Sequence, residues 1–233
     1  MAFPTVVTRA TSTSNTNGTT SHTVTLPASL VSGNLLVVAI CFDNQAGGLA
    51  VTWPGGWTEL LDSVDDTRAL SLNVAYKVSD GGEGSSISVT TDNGEQAAHR
   101  SWQISGQHAS SAPEIGTTAA ATYNSSPNPP SLSASWGSDD NLWLALAGLD
   151  NGGVTVDTYP SSYSQGAVVT SAGSGLAGAT IGVAERENAT ATEDPGTFAL
   201  SSSCDHLSNT LVIRPAAAAS GGMQLVGGAG LVG

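Results

Sequence analysis

The sequence predicts an all-β protein, built as two tandem antiparallel β-sandwich modules with an apolar C-terminal tail, on three observations. Thr, Ser, Val and Gly dominate while Lys and Glu are scarce, and apolar residues make up 39% of the 233. No stretch longer than two turns carries apolar residues at helical spacing, so the period-two reading is favoured. The chain also matches itself. "GNLLVVAICFDN" (Gly33 to Asn44) lies over "DNLWLALAGLDN" (Asp140 to Asn151), Trp53 falls on Tyr159 and Trp57 on Tyr163; "NVAYKV" at Asn73 lies over "GVAERE" at Gly182, and "SISVT" at Ser86 over "TFALS" at Thr197. Collinear matches with drifting gaps indicate a duplicated module with indels in its loops. The copies span about residues 4–107 and 113–215. Two copies do not make a solenoid, so each must be nearly self-sufficient, as a jelly-roll or immunoglobulin-like sandwich.

Eight strands are expected in module one, with Gly, Asn, Asp and Ser in the gaps. They are Thr5 to Ser12, His22 to Leu26, Asn34 to Phe42, Ala50 to Trp53, Thr58 to Leu61, Leu70 to Val78, Ser86 to Thr91 and Ala97 to Ile104. In the sixth, Leu70, Leu72, Val74, Tyr76 and Val78 alternate with Ser71, Asn73, Ala75 and Lys77, which predicts one core face and one wet face. The third is apolar at every position from Leu35 to Phe42, and its partner is apolar from Leu142 to Leu149 apart from Gly148. A strand apolar on both faces must be covered on both. The expected cover is the sister module or a neighbouring subunit, which predicts tightly packed modules or a homo-oligomer. The copies disagree where Tyr76 meets Glu185 and Val78 meets Glu187, so module two is expected to fray or turn to solvent there.

After Pro215 comes "AAAASGGMQLVGGAGLVG". Glycine-rich, yet carrying Met223, Leu225, Val226, Leu231 and Val232, it cannot build a core and is too apolar for a solvated linker. These five side chains are candidate assembly contacts.

Acidic residues outnumber basic ones by 19 to 6, for a formal charge of -13 spread along the chain. Nucleic acid is not an expected partner, because phosphate binding needs clustered Lys and Arg. The start "MAFPTVVTRATS" shows neither a charged n-region nor an apolar h-region, and no apolar run approaches the ~20 residues that cross a bilayer. Cytoplasmic synthesis and no membrane partner are expected. Cys41 and Cys204 sit in unlike contexts that suit reduced thiols.

Little in the sequence points to catalysis. No Gly-x-Ser-x-Gly turn occurs, and His22, His99, His108 and His206 lack metal spacing, although a Ser-His-Asp set can assemble from distant residues. Asp65-Asp66, Asp139-Asp140 and Glu193-Asp194 read as turns, where carboxylates bond their own backbone. Calcium in "SDGGEG" (Ser79 to Gly84) or "EDPG" (Glu193 to Gly196) is the metal alternative, but neither loop has a full spaced ligand set. No catalytic residue, metal or cofactor is assigned. The repeated aromatic pair admits two readings. Trp53, Trp57, Tyr159 and Tyr163 either present flat rings to a glycan or close the ends of the sandwiches, and recurrence in both copies favours the end-cap.

The motifs "VTLPASLVSGNLLVVAICFDN", "TWPGGWTELLDS" and "LNVAYKVSDGGEGSSISVTT" resemble those of β-rich proteins encoded among the virion genes of tailed bacteriophages, with "Ser-Gly-Asn" here where Gly-Asp is usual. The resemblance covers about residues 4–215 and carries no catalytic residues. It implies a virion location, capsid or other virion proteins as partners, and a non-enzymatic structural role such as capsid decoration or cement. The alternatives are a tail-fibre or baseplate component that binds the host surface, and a carbohydrate-binding module or adhesin.

Overall fold

The computed structural model describes residues 1–16, 18–44, 47–172 and 178–218. It is all-β, with no helix among the described residues. The first half contains β1 (Thr5–Ser14), β2 (Ser21–Thr25), β3 (Leu35–Asp43), β4 (Val51–Thr52), β5 (Thr58–Asp65), β6 (Leu70–Val78), β7 (Ser86–Thr91) and β8 (Ala97–Ser105). The second contains β9 (Glu114–Ile115), β10 (Ala119–Asn124), β11 (Leu132–Ser133), β12 (Asn141–Asp150), β13 (Val156–Thr158), β14 (Ser164–Thr170), β15 (Ala179–Asn188), β16 (Thr192–Glu193), β17 (Ala199–Leu200) and β18 (Cys204–Ile213).

Each half has one large antiparallel sheet. The orders are β1-β8-β3-β6-β5 and β10-β18-β12-β15-β14, with β9 added beside β18. Taken position by position these are the same order, with the twice-apolar strand central in both. Over its outer face the first sheet carries a layer of order β2-β7-β4. In the second half that layer is two separate pairs, β11-β16 and β13-β17. The break falls between β16 and β17, where Pro195 has no N–H to donate and Gly196 takes φ +80°.

The inner faces of the two large sheets pack on each other. Leu35, Val37, Ala39 and Cys41 of β3 join Leu142, Leu144 and Leu146 of β12, with Leu72, Val74, Ile181, Val183, Leu207 and Leu211, in one buried cluster. The alternate residues Leu36, Val38, Ile40 and Phe42 face the other way, onto Val24, Leu26 and Val89 under the first outer layer. Ala145, Ala147 and Leu149 do the same beneath the second, against Phe198 and Leu200. The molecule is therefore four layers deep, and the cover on the second face of β3 is the large sheet of the second half. At about 1.5–3 kcal/mol for each fully buried Leu, Ile or Val, this seam is a major source of stability.

Two expectations need correction. The supposedly wet face of β6 is dry: Ser71, Asn73 and Ala75 are all 0% exposed, because β6 lies inside its sheet and they pair with Phe42, Ile40 and Val38 on the face that the outer layer covers. Asn73 and Ser71 satisfy part of their polarity by bonding to each other through Nδ2 and Oγ. Nor does β15 fray at Glu185. It stays in register with β12 from Asp150↔Ala179 to Asn141↔Asn188, and Glu185 is only 4% exposed. The carboxylate is tolerated because the opposite sheet supplies donors for it, as described below.

Candidate functional sites along the seam

The turn between β4 and β5 and the turn between β13 and β14 are built alike. Trp57 N–H bonds Pro54 C=O at 3.3 Å, and Tyr163 N–H bonds Pro160 C=O at 3.1 Å. The position after the bend needs positive φ in both, taken by Gly56 at +85° and by Ser162 at +67°. Trp53 and Trp57 stack, with centroids 6.1 Å apart and 23° between planes, and the Trp53 indole N–H bonds Glu59 Oε2 at 3.1 Å. Both rings are half-buried on the Phe42 cluster. Tyr159 and Tyr163 pack on the Phe198 cluster, Tyr159 edge-on to Phe198 at 6.0 Å. Burial, aided by the nearby Glu193 carboxylate, pushes the Tyr163 phenol up. The four aromatics thus lie in two pairs on separate clusters, not on one shared platform. Met223, Leu225, Val226, Leu231 and Val232 lie outside the described residues.

The histidines are built into the outer cores. His22 is 1% exposed, edge-on to Phe42, with Nε2 3.1 Å from Thr91 Oγ1, and burial lowers it to about 4. His99 meets Ser12 Oγ at 3.0 Å, and its Nε2 accepts the Thr25 N–H at 3.1 Å; burial lowers it too, to about 4. This is a serine beside a histidine, but Ser12 Oγ also bonds the Thr23 carbonyl at 2.9 Å. The contacts tie β1, β2 and β8 together. Cys41 and Cys204 are buried and unbridged, and burial pushes the Cys204 thiol up to about 12.

The acidic turns hold their own carboxylates. Asp65 Oδ1 accepts the Thr67 and Arg68 N–H groups, and Asp66 Oδ1 accepts Gly48 N–H at 2.6 Å. In the Ser79–Gly84 loop, Glu83 takes Asp80 N–H, Ser79 Oγ and Lys77 Nζ, and these donors hold it down at about 2 despite burial. Glu193 takes Arg186 Nη1 at 2.6 Å and Asn188 Nδ2 at 2.8 Å. Among the described residues no three His, Cys, Asp or Glu side chains are placed to hold a metal ion.

The seam has one polar constellation near each end. At the first, Glu185 of β15 reaches across to the opposite sheet. Its Oε1 accepts Arg9 Nε at 2.6 Å and the Trp102 indole N–H at 2.8 Å, and its Oε2 pairs with Arg9 Nη2. Trp102 is 0% exposed, so its N–H has no access to water. Arg100, on the same strand as Trp102, brings a third donor whose Nε meets no protein acceptor, and burial lowers it against the opposing pull of Glu185. A cavity of about 290 Å³ opens beside the pair, lined by Thr5, Arg9, Ser164, Gln165 and Glu187 among others.

At the second, β3 and β12 end in Asp43 and Asp150, which are 0% and 4% exposed. No protein donor reaches Asp150 Oδ1. Burial, with the negative charges of Asp43 and Asp205, raises Asp150 to about 7. A cavity of about 570 Å³ opens here between the halves, and Arg68, Tyr123, Asp150, Asn151, Cys204 and Asp205 are among its lining.

Neither constellation is legible in the sequence by motif, because each is assembled across the seam from strands far apart in the chain. The one sequence signal for the first was the acidic residue standing at a core position of β15. Compared with family models, curated proteins and solved structures, the chain matches none.

Proposed function

We propose that the protein is a non-enzymatic structural component of a tailed-bacteriophage particle, a capsid decoration or cement protein that attaches through its C-terminal segment. The observation that carries this reading is where the apolar surface goes. Both large sheets spend their inner faces on each other, and the large apolar side chains left exposed among the described residues are Met1, Val7, Val31, Val78, Tyr123 and Val168. A body of this kind has little apolar surface to give a partner, while residues 219–233 supply Met223, Leu225, Val226, Leu231 and Val232. The described chain ends beside the connection between the halves, where Ala216 N–H bonds Gly106 C=O at 2.7 Å. Burying an apolar segment across capsomer boundaries raises the cost of opening a shell, since anything that binds only the closed state stabilises it. The resemblance of the sequence motifs to those of virion proteins supports the same reading.

The test is deletion of residues 219–233 with the four-layer body intact. Purified particles are expected to carry the full chain at a copy number comparable to the capsid protein, and to lose it with the deletion. A few copies per particle would assign it to the tail instead, and undiminished incorporation of the shortened chain would overturn the anchor.

A further inference from the structure

The cavity at the Asp150 end of the seam stands apart from the structural role proposed above. Three features distinguish it from the other hollows of the fold. Asp150 is nine-tenths buried and lines it, yet no protein donor reaches its Oδ1. A buried acceptor left unpaired is costly, and native structures retain such groups chiefly where something else meets them. The charge around it is unbalanced. Asp205 lines the same cavity and Asp43 adds its charge, while Arg68 on the wall is paired through Nη1 with Asp65, its Nε meeting no protein acceptor. Tyr123 lines it too. This residue is 78% exposed and held at φ +47°, in the β10 bulge between Ala121 and Asn124, and its N–H bonds Asp205 Oδ1 at 2.7 Å. A bulky aromatic at positive φ is an outlier, and such strain clusters at ligand sites.

We propose that this cavity binds an organic cation, an ammonium or guanidinium group seated on the Asp150 carboxylate with the Tyr123 ring closing over it. A carboxylate against a cation is the strong form of hydrogen bond, and an aromatic face adds attraction for the same charge. The volume of about 570 Å³ falls in the range of small-molecule sites. It is too roomy for a bare ion, in keeping with the lack of a three-ligand metal set among the described residues.

The test uses the isolated full-length protein and L-argininamide, which carries both cationic groups and no carboxylate, followed by calorimetric titration at about pH 8, where Asp150 is mostly ionised. Saturable binding at one site per chain is expected. Asp150→Asn keeps the shape and is expected to weaken it at least about tenfold, and Tyr123→Ser by about threefold to tenfold. Asp80→Asn removes an exposed carboxylate elsewhere and is expected to leave binding unchanged. Four results would overturn the proposal: no saturation below about 10 mM, a weak-fragment concentration; equal losses in Asp80→Asn and Asp150→Asn, meaning diffuse surface charge; no loss in either site variant; or calcium chloride displacing the ligand, meaning an inorganic-cation site. Particle incorporation plays no part in the readout, so this proposal and the structural one fail separately.

Discussion

Replacing Glu185 with alanine removes, among the described residues, the only carboxylate that bonds Arg9 across the seam and the only acceptor of the Trp102 indole N–H. Glu185 is 4% exposed and the Arg9 side chain 24%, so neither charge is strongly screened by solvent. Breaking such a pair by removing one partner costs about 3–5 kcal/mol, because the survivor is left buried and uncompensated. For a body of roughly 200 residues, each kcal/mol lowers the melting temperature by about 2–4 °C, so Glu185→Ala is expected to melt roughly 6–20 °C below the parent. Glu185→Gln keeps an oxygen for Trp102 but loses the charge, and is expected to cost about 1.5–3 kcal/mol. In the double variant Arg9→Met with Glu185→Leu, the Trp102 N–H is orphaned, at about 1–3 kcal/mol, and Arg100 loses the pull of the carboxylate. Denaturant melts of the parent, Arg9→Met, Glu185→Leu and the double variant close a double-mutant cycle. A Glu185→Ala cost below about 1 kcal/mol, or a double variant as damaged as the sum of its singles, would refute the view that these charges stabilise the seam only as a pair.

Other expectations follow from the same seam and the layers around it. Asp150 is raised to about 7, so the folded state keeps its proton longer than the unfolded chain; the resulting stability is full below about pH 4 and lost as pH rises through 7, up to about 4 kcal/mol in all. Asp150→Asn is therefore expected to melt higher than the parent at pH 8 and alike at pH 4 by scanning calorimetry. His22 runs the other way: its folded value is near 4, so stability is present above about pH 6.5 and lost as pH falls towards 4, by about 3 kcal/mol at most. His22→Gln is expected to flatten part of that acid limb in a series of melts. Because one cluster draws on both halves, the full chain is expected to unfold in a single calorimetric transition, and a fragment ending at Gly106 to aggregate. Two resolved transitions would contradict it.

The first half was legible in the sequence almost strand by strand, because its alternation and its Gly, Asn and Ser breaks carry the fold locally. Leu70–Val78 and Ser86–Thr91 form over the expected residues, and β5 runs on to Asp65 past the expected end at Leu61. Alternation located the strands but not their depth. Ser71 and Asn73 look like a solvent face, yet β6 is an inner strand and its polar side is covered. Glu185 was misread for a related reason: a carboxylate at a core position forecasts solvent unless a donor waits opposite, and Arg9 and Trp102 are distant in sequence. The twice-apolar runs did announce a second cover without saying which surface would supply it. The cavity at Asp150 left no trace, since its walls come from separate hairpins and strand ends.

One contact inside the seam bears on which surfaces can meet. Cys41 and Gly148 hold the same place in β3 and β12, each two residues before the terminal aspartate, and they face each other. The Cys41 thiol reaches towards the Leu149 carbonyl at 3.9 Å, and a methyl placed on Gly148 would lie only 3.2 Å from that sulfur. Side chain fits against missing side chain, like a key cut on one half for a notch in the other. Two first halves from different molecules would bring sulfur onto sulfur at this spot, and two second halves would leave a gap. The mismatch thus disfavours like-with-like pairing of halves from different chains, and leaves the first half matched only to a second half.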